Sequence, residues 1–554
     1  MIARVACAAL QGVDATRVDL EVDFARQGMP AFTLVGLAEG AVREARERVM
    51  AALRAVGLRL PPARITVNLA PADRRKGGSG YDLPLAVALL EAAGIIPEGS
   101  TRGWFFAGEL SLAGELKPVP GILPVAILAR DEAARAAAGQ PPKAHPEGVS
   151  SCARQTDAQP AGVRPADARS ATTGHEGTIR GIIVPKANAA EAAVVEGIAA
   201  YGASTLGEVV AFLAGEGDLV QAVPPGMAQG AGGMHLYDFA EVKGQEHAKR
   251  AIEIAAAGAH NLLFIGPPGS GKTMLAQRIP SVLPPLTAAD ALEVTKVYSV
   301  AGLLDAGQGL VSQRPFRAPH HTVSEVGLAG GGAYPRPGEV SLAHRGVLFL
   351  DELPEFRKTA LEVLRQPLED GVVTISRAMQ TLTYPADCML VAAMNPCPCG
   401  YATDATHACT CSTMQVQRYR ARLSGPLLDR IDLHVEVPAV PWEDLRSVKG
   451  GTSSAEMRER IMAARAVQTA RFAGTHCRTN ADLGGALLEE HCRLGTPEHT
   501  FLGKAVHSLA LSARAYTRIL RIARTIADLD GSEPLQVRHL AEAINCRVLD
   551  RERM

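Results

Sequence analysis

The chain has 554 residues, with 57 Lys and Arg against 58 Asp and Glu, 47% hydrophobic and 21% charged residues. That length exceeds one ordinary core and suggests about three or four domains of a folded, soluble kind. The near-zero net charge excludes a global field that would draw the chain onto nucleic acid, and an aromatic content of 4% excludes an interleaved stacking platform for single strands.

No apolar run reaches the length of a membrane span, and the opening MIARVACAALQGVDA is too polar for a secretory signal, so a cytoplasmic location is expected. Ten cysteines in so long a chain do not make a disulfide scaffold. Residues 1 to about 130 alternate β-like runs such as Ile65-Thr66-Val67-Asn68-Leu69 with helical ones such as Leu83 to Ala93, punctuated by Gly and Pro. This predicts a small α/β domain over 1–214. Within it, 134–177 is rich in Pro, Gly, Ala and Ser without apolar periodicity, and reads as a disordered insertion. Order is expected to resume at Ile182-Ile183-Val184-Pro185, followed by a helix from about Ala189 to Ile198. Residues 215–233 read as a linker.

A core over 234–438 carries the strongest motif. Gly266-Pro267-Pro268-Gly269-Ser270-Gly271-Lys272-Thr273 has the spacing of a phosphate-binding loop, with the apolar run Leu262 to Ile265 before it and a helix opening at Met274 after it. Glycines let the backbone N–H groups turn towards phosphate oxygens, and a helix N-terminus adds positive potential. Lys272 would reach the outer phosphates and the Thr273 hydroxyl would ligate Mg2+. Further on, Val347-Leu348-Phe349-Leu350 reads as a doubly covered parallel strand ending in Asp351 and Glu352. Carboxylates at that end sit where open α/β sheets bind ligands. Asp351 would hold the magnesium, and Glu352 would orient and deprotonate water. A third apolar strand, Met389 to Met394, ends in Asn395, whose side chain could also hold that water. Between them, residues 371–385 have the strand–turn–strand pattern of a hairpin. His320 and His321 have no third ligand at matching spacing and are not read as a metal pair.

Four cysteines, Cys397, Cys399, Cys409 and Cys411, fall within fifteen residues. Four thiolates suit tetrahedral zinc, although one-residue gaps within each pair are tighter than usual; locally packed reduced thiols or a redox-sensitive loop are the alternatives. The segment 439–554 has helical periodicity, with 17 Lys and Arg against 14 Asp and Glu. Arg514, Arg518 and Arg521 share one helix face there.

Val242-Lys243-Gly244-Gln245, the phosphate loop, the Asp-Glu strand, the Asn395 strand and Leu427-Leu428-Asp429-Arg430-Ile431-Asp432 together resemble AAA+ ATPases. That resemblance implies that Arg430 is a finger reaching the γ-phosphate of a neighbouring subunit, and that Arg514, in Ser512-Ala513-Arg514, serves its own subunit's nucleotide. Arg314 to His321 and the hairpin are similar to the magnesium-chelatase-like branch, in which such a hairpin faces the ring's channel. Over nearly its full length, through FTLVGLAEGAVREARERV, ITVNLAPADRRKGGSGYDLPLA, GELSLAGELKPVPGILP, VPKANAAEAAVV, NPCPCGY and SGPLLDRIDLHVEVP, the chain resembles the YifB/ComM family.

The family implies an α/β fold class in three parts. These are a Lon-protease-like (S5 domain 2-like) α/β N-terminal domain, an AAA+ parallel-sheet nucleotide-binding core, and an α-helical C-terminal domain. It further implies ATP and Mg2+ as cofactors, a homo-oligomer that is a hexamer, branched or single-stranded DNA as partner, and branch migration in recombination and natural transformation. A Lon-like domain would carry a serine–lysine dyad. Here the best register puts Gly80, not Ser79, at the serine position, and the lysine position falls in Ile122-Leu123-Pro124-Val125, with Lys117 several residues upstream. No peptidase activity is expected. The basic run Arg74-Arg75-Lys76 could touch phosphate or be a solvated turn. A chelatase motor and a protein-remodelling ATPase are the competing functions.

Overall fold

The structure is a computed structural model. It describes residues 2–36, 40–72, 76–78, 80–138, 179–224, 237–332, 335–377, 380–404, 407–440, 451–509, 511–547 and 549. Ser79, Arg74 and Arg75, nearly all of the expected insertion and much of the expected linker lie outside the described residues. The chain forms two compact units, one of residues 1–225 with 302–310, the other of 226–301 with 311–554.

The first unit is built on an eight-stranded mixed sheet. Its spatial order is Val220–Gln221, Ala199–Ala203, Gly181–Pro185, Trp104–Phe106, Ile2–Gln11, Asp14–Ala25, Arg64–Ala70 and Ala31–Val35. Ile2–Gln11 and Asp14–Ala25 pair antiparallel, and their burial alternates along each strand, as a sheet with one covered face requires. The helix Asp82–Ala93 is buried at every position, which explains its unbroken apolar sequence. At its start, Asp82 accepts from Arg48 Nε (2.7 Å), Arg48 Nη2 (2.8 Å) and the Leu110 amide (3.1 Å). The helix expected over 189–198 is shorter, Ala189–Ala193, because Gly197 turns left-handed (φ +88°) and leads into the strand Ala199–Ala203.

The second unit holds a five-stranded sheet whose recorded pairings are all parallel. With β1 (Leu262–Ile265), β2 (Phe316–Arg317), β3 (Val347–Leu350), β4 (Met389–Met394) and β5 (Leu433–Glu436), the order is β2-β3-β4-β1-β5. β1, β3 and β4 are buried at every residue, as central parallel strands are. The expected hairpin forms from Val372–Arg377 and Gln380–Pro385.

Helices α1 (Glu246–Gly258), α2 (Lys272–Val282), α3 (Ser454–Arg471), α4 (Ala513–Leu529) and α5 (Val537–Asn545) complete the unit. Sequence reading separates 234–438 from 439–554, yet both contribute to one hydrophobic core. Met457, Ile461 and Ala464 of α3 and Ile519, Ile522 and Ile526 of α4 join Ile252 and Ala255 of α1 and Phe264 of β1 there. Among the described residues no helix is long and apolar enough to cross a membrane.

Candidate nucleotide site

Because β1, β3 and β4 run parallel and in register, Ile265 opposite Met394 and Leu350 opposite Ala392, the residues that follow them emerge at one edge. Gly266, Asp351 and Asn395 are those residues. The loop after β1 turns through Gly269 (φ +75°) and Gly271 (φ +91°), a region costly for side-chain-bearing residues, and delivers Lys272 into the first turn of α2. The Lys272 ammonium donates to the carbonyls of Gly266 and Pro267 (2.8 Å each) and to Asn395 Oδ1 (3.2 Å). Burial lowers its pKa, and the nearby Asp351 carboxylate opposes that shift. The Thr273 hydroxyl donates to Asp351 Oδ2 at 2.6 Å.

Two further features suit a phosphate ligand. Among the described residues Ser270 Oγ is buried with no hydrogen-bond partner, and the Lys272 ammonium is held by loop carbonyls and an amide oxygen, none of which cancels its charge. The hard oxygens of Thr273 and Asp351 are the donor set that Mg2+ takes. The residues present therefore fit both groups.

Glu352 has a left-handed backbone (φ +52°), and His321 Nδ1 lies 3.3 Å from its Oε2. The rings of His320 and His321 lie against each other, 4.1 Å between centroids. His321 is a site residue that sequence reading sets aside: its spacing held no metal pattern, and its carboxylate partner comes from a distant strand. Gln245 is another. Its backbone is left-handed (φ +58°), and its amide donates to the Pro438 carbonyl at 2.6 Å, joining the start of α1 to the end of β5.

Arg430 lies at the opposite edge of the sheet. Its carbonyl accepts from Asn261 Nδ2 (3.0 Å), and Asn261 immediately precedes β1, whereas Gly266 immediately follows it. The four strand residues between them make five residue steps, about 16 Å. The Arg430 guanidinium donates to Glu369 and to the Pro426 carbonyl (2.6 Å).

Arg514, on the first turn of α4, is 66% exposed and sits 3.8 Å from Asp429 Oδ2, beside Arg430. Its anchor thus shares the edge of Arg430 rather than that of Lys272. Arg518 and Arg521 are not free surface arginines either. Arg518 pairs with Asp432 (3.4 Å), and Arg521 donates to the Leu483 carbonyl (2.6 Å). Burial would push the Asp432 carboxyl up, but His260, Arg518 and the Asn261 amide outweigh it and hold the carboxyl at about 2.

Among the described residues, Cys397, Cys399, Cys409 and Cys411 form a group whose sulfurs all lie within 4.8 Å of one another and could hold a metal ion. The amides of Tyr401 and Thr410 hold the Cys399 thiol down at about 5. In the first unit, Lys117 is exposed and pairs with Glu115 (2.7 Å).

Three family models match the chain: "Magnesium chelatase, subunit ChlI" over residues 238–445, "Subunit ChlI of Mg-chelatase" over 20–138, and "Magnesium chelatase, subunit ChlI C-terminal" over 451–547. The chain is 43% identical to Competence protein ComM of Haemophilus influenzae over 547 residues, covering 98% of this chain and 97% of that one. It is 41% identical to YifB of Escherichia coli over 541 residues, covering 98% and 96%. A shorter match, 30% over 152 residues, covering 25% of this chain and 26% of that one, is to Lon protease 2 of Bacillus subtilis. The chain belongs to the YifB/ComM family of magnesium-chelatase-like AAA+ ATPases.

Proposed function

We propose that the chain is a ring-forming ATPase, a homohexamer, that couples ATP hydrolysis to movement along DNA and drives branch migration in recombination. The observation that carries the ATPase part is the convergence of the Lys272 ammonium, the Thr273 hydroxyl and the Asp351 carboxylate at one sheet edge. In this reading Gly266 to Gly271 cradle the phosphates through backbone N–H groups. Lys272 would reach the outer phosphate oxygens, and Thr273 and Asp351 would hold Mg2+. When bound, the ion would supply neutralisation of phosphate charge. Glu352 takes the proton of the attacking water, Asn395 orients that water, and His321 holds Glu352 in place.

Arg430 and Arg514, together on the far edge, are proposed to complete the nucleotide pocket of the next protomer. The 371–385 hairpin is proposed to line the channel. Zn2+ is the proposed ion of the four thiolates. The DNA partner rests on the family and on a relative named as a competence protein, not on charge. The Lon-like unit is proposed to be proteolytically silent, since Gly80 and Ile122 to Val125 stand where a dyad would be and Lys117 is engaged by Glu115. A cytoplasmic location without a membrane partner is proposed as well.

The test is ATP turnover with and without four-way-junction DNA, compared with duplex and single strands at two salt concentrations. The reading predicts stimulation by junctions that weakens as salt rises. A rate indifferent to every DNA, but raised by a protein client, would favour the remodelling function and remove the DNA part.

A further inference from the structure

The four-cysteine loop is in contact with the phosphate loop. Gly400 is left-handed (φ +90°), and the place a Cβ would occupy there lies 2.6 and 2.7 Å from Cδ and Cγ of Pro268, the third residue of the phosphate loop. The Gly400 N–H donates to the Cys397 carbonyl (3.0 Å), so the turn that meets Pro268 is the turn that joins Cys397 to Cys399. On its other side Cys397 follows Asn395 by two residues, and Asn395 accepts from Lys272. One short segment therefore touches the nucleotide pocket at both ends.

That segment has little else to hold it. From Asn395 to Ser412 the described residues form no helix or strand, a length at which an irregular loop needs an internal tie to keep one conformation. The sulfurs supply the geometry for one. Cys397 lies 3.3 Å from Cys399 and 3.7 Å from Cys409, and Cys399 lies 3.6 Å from Cys409. A disulfide needs about 2.05 Å, so these three are not bonded to one another. Zinc with four Zn–S bonds of about 2.3 Å sets its sulfurs about 3.8 Å apart. Four thiolates this close repel unless a cation sits among them, and all-sulfur tetrahedral sets select zinc or iron–sulfur chemistry. Beyond Cys411, Ser412 caps the helix Thr413–Arg420, and Arg420 Nε returns to the Pro396 carbonyl at 3.4 Å, which closes the loop on itself.

We infer that zinc on Cys397, Cys399, Cys409 and Cys411 is a brace for the nucleotide pocket: it fixes Gly400 against Pro268 and Asn395 against Lys272, so ATP affinity depends on the metal. The inference rests on the ATP and zinc readings above. The brace acts by position. A loop that must be ordered on binding draws its ordering cost from the affinity, and this loop touches the pocket without supplying a phosphate contact of its own.

The experiment measures zinc and iron per chain, and the affinity for a fluorescent ATP analogue in excess magnesium, for the full-length protein purified without added metal. Wild type, Cys409→Ser and Lys272→Ala are compared. Wild type stripped with a chelator, dialysed into magnesium buffer and then given zinc back is the control that needs no substitution. The expected result is about one zinc per chain in wild type and Lys272→Ala, and less than about half in Cys409→Ser. Nucleotide affinity should be about 10- to 100-fold weaker in Cys409→Ser and in stripped wild type, and should return with zinc in the latter. Less than about half a zinc in wild type, or iron in its place, overturns the site. A full complement of zinc whose removal leaves affinity unchanged overturns the brace and leaves the metal. Wild type that holds zinc but binds no nucleotide refutes the ATP reading instead, and is distinguishable because zinc is counted separately. If Cys409→Ser does not fold, stripping and restoration decide alone.

Discussion

The Thr273 hydroxyl donates to Asp351 Oδ2 across 2.6 Å, joining the first turn of α2 to the end of β3. The two oxygens that meet directly in this structure are the two proposed to hold magnesium. Asp351→Asn keeps the shape and removes the charge. It should lower magnesium-dependent ATP turnover by about 100-fold or more, since such an ion contributes several kcal/mol to phosphoryl transfer. Steady-state turnover across a magnesium titration checks this. A variant that regains the full wild-type rate at saturating magnesium would show that Asp351 is no ligand.

Glu352 and His321 give a second prediction. Glu352→Gln should leave nucleotide affinity within about threefold and reduce hydrolysis by about 100- to 10,000-fold, the range for removing a general base. His321→Ala should lower turnover less, because His321 holds the carboxylate and does not itself take the proton. Single-turnover hydrolysis with pre-bound ATP separates chemistry from binding; equal losses in both variants would assign His321 a larger role.

The shared edge of Arg430 and Arg514 predicts an unusual mixing result. If both arginines complete a neighbour's pocket, one protomer must bring both. Mixing Arg430→Ala with Arg514→Ala should then restore no activity, because no donor in the mixture has the pair. Were Arg514 to serve its own protomer, that same mixture would contain intact interfaces and recover part of the rate. ATP turnover of equimolar mixtures, assembled before assay, discriminates the two.

Asp432 carries a pH prediction. Its carboxyl is held at about 2, against about 3.9 in an unfolded chain. A depressed carboxylate adds stability that is fully present above the unfolded value and is lost as pH falls through the folded one. The difference in thermal midpoint between wild type and Asp432→Asn should therefore be largest above about pH 4 and shrink towards pH 2. The full difference corresponds to about 2–3 kcal/mol, as an order of magnitude. A difference constant across that window would mean that Asp432 acts by packing alone.

Much of this site was legible in the chain because its parts are local. Gly266 to Thr273 is one contiguous turn, and Asp351 and Asn395 each follow an apolar run that can only be a buried strand. What was not legible is what distant segments do to one another. Nothing in the spacing of Arg514 indicates that α4 sets it beside Asp429, and the shared helix face of Arg518 and Arg521 says nothing of their partners Asp432 and Leu483. The cysteine pairs were visible, but the approach of Gly400 to Pro268 depends on the register of β1 with β4, which sequence periodicity does not encode.

The central claim is that one protomer supplies the phosphate loop and the next supplies the arginine. ATP turnover of Lys272→Ala, Arg430→Ala and their equimolar mixture tests it most directly. Each variant alone should fall by at least about 1,000-fold, and the mixture should recover a substantial fraction of the wild-type rate, because some interfaces pair an intact loop with an intact arginine. A mixture no faster than the sum of its two components, in assemblies shown to have exchanged subunits, would contradict the account.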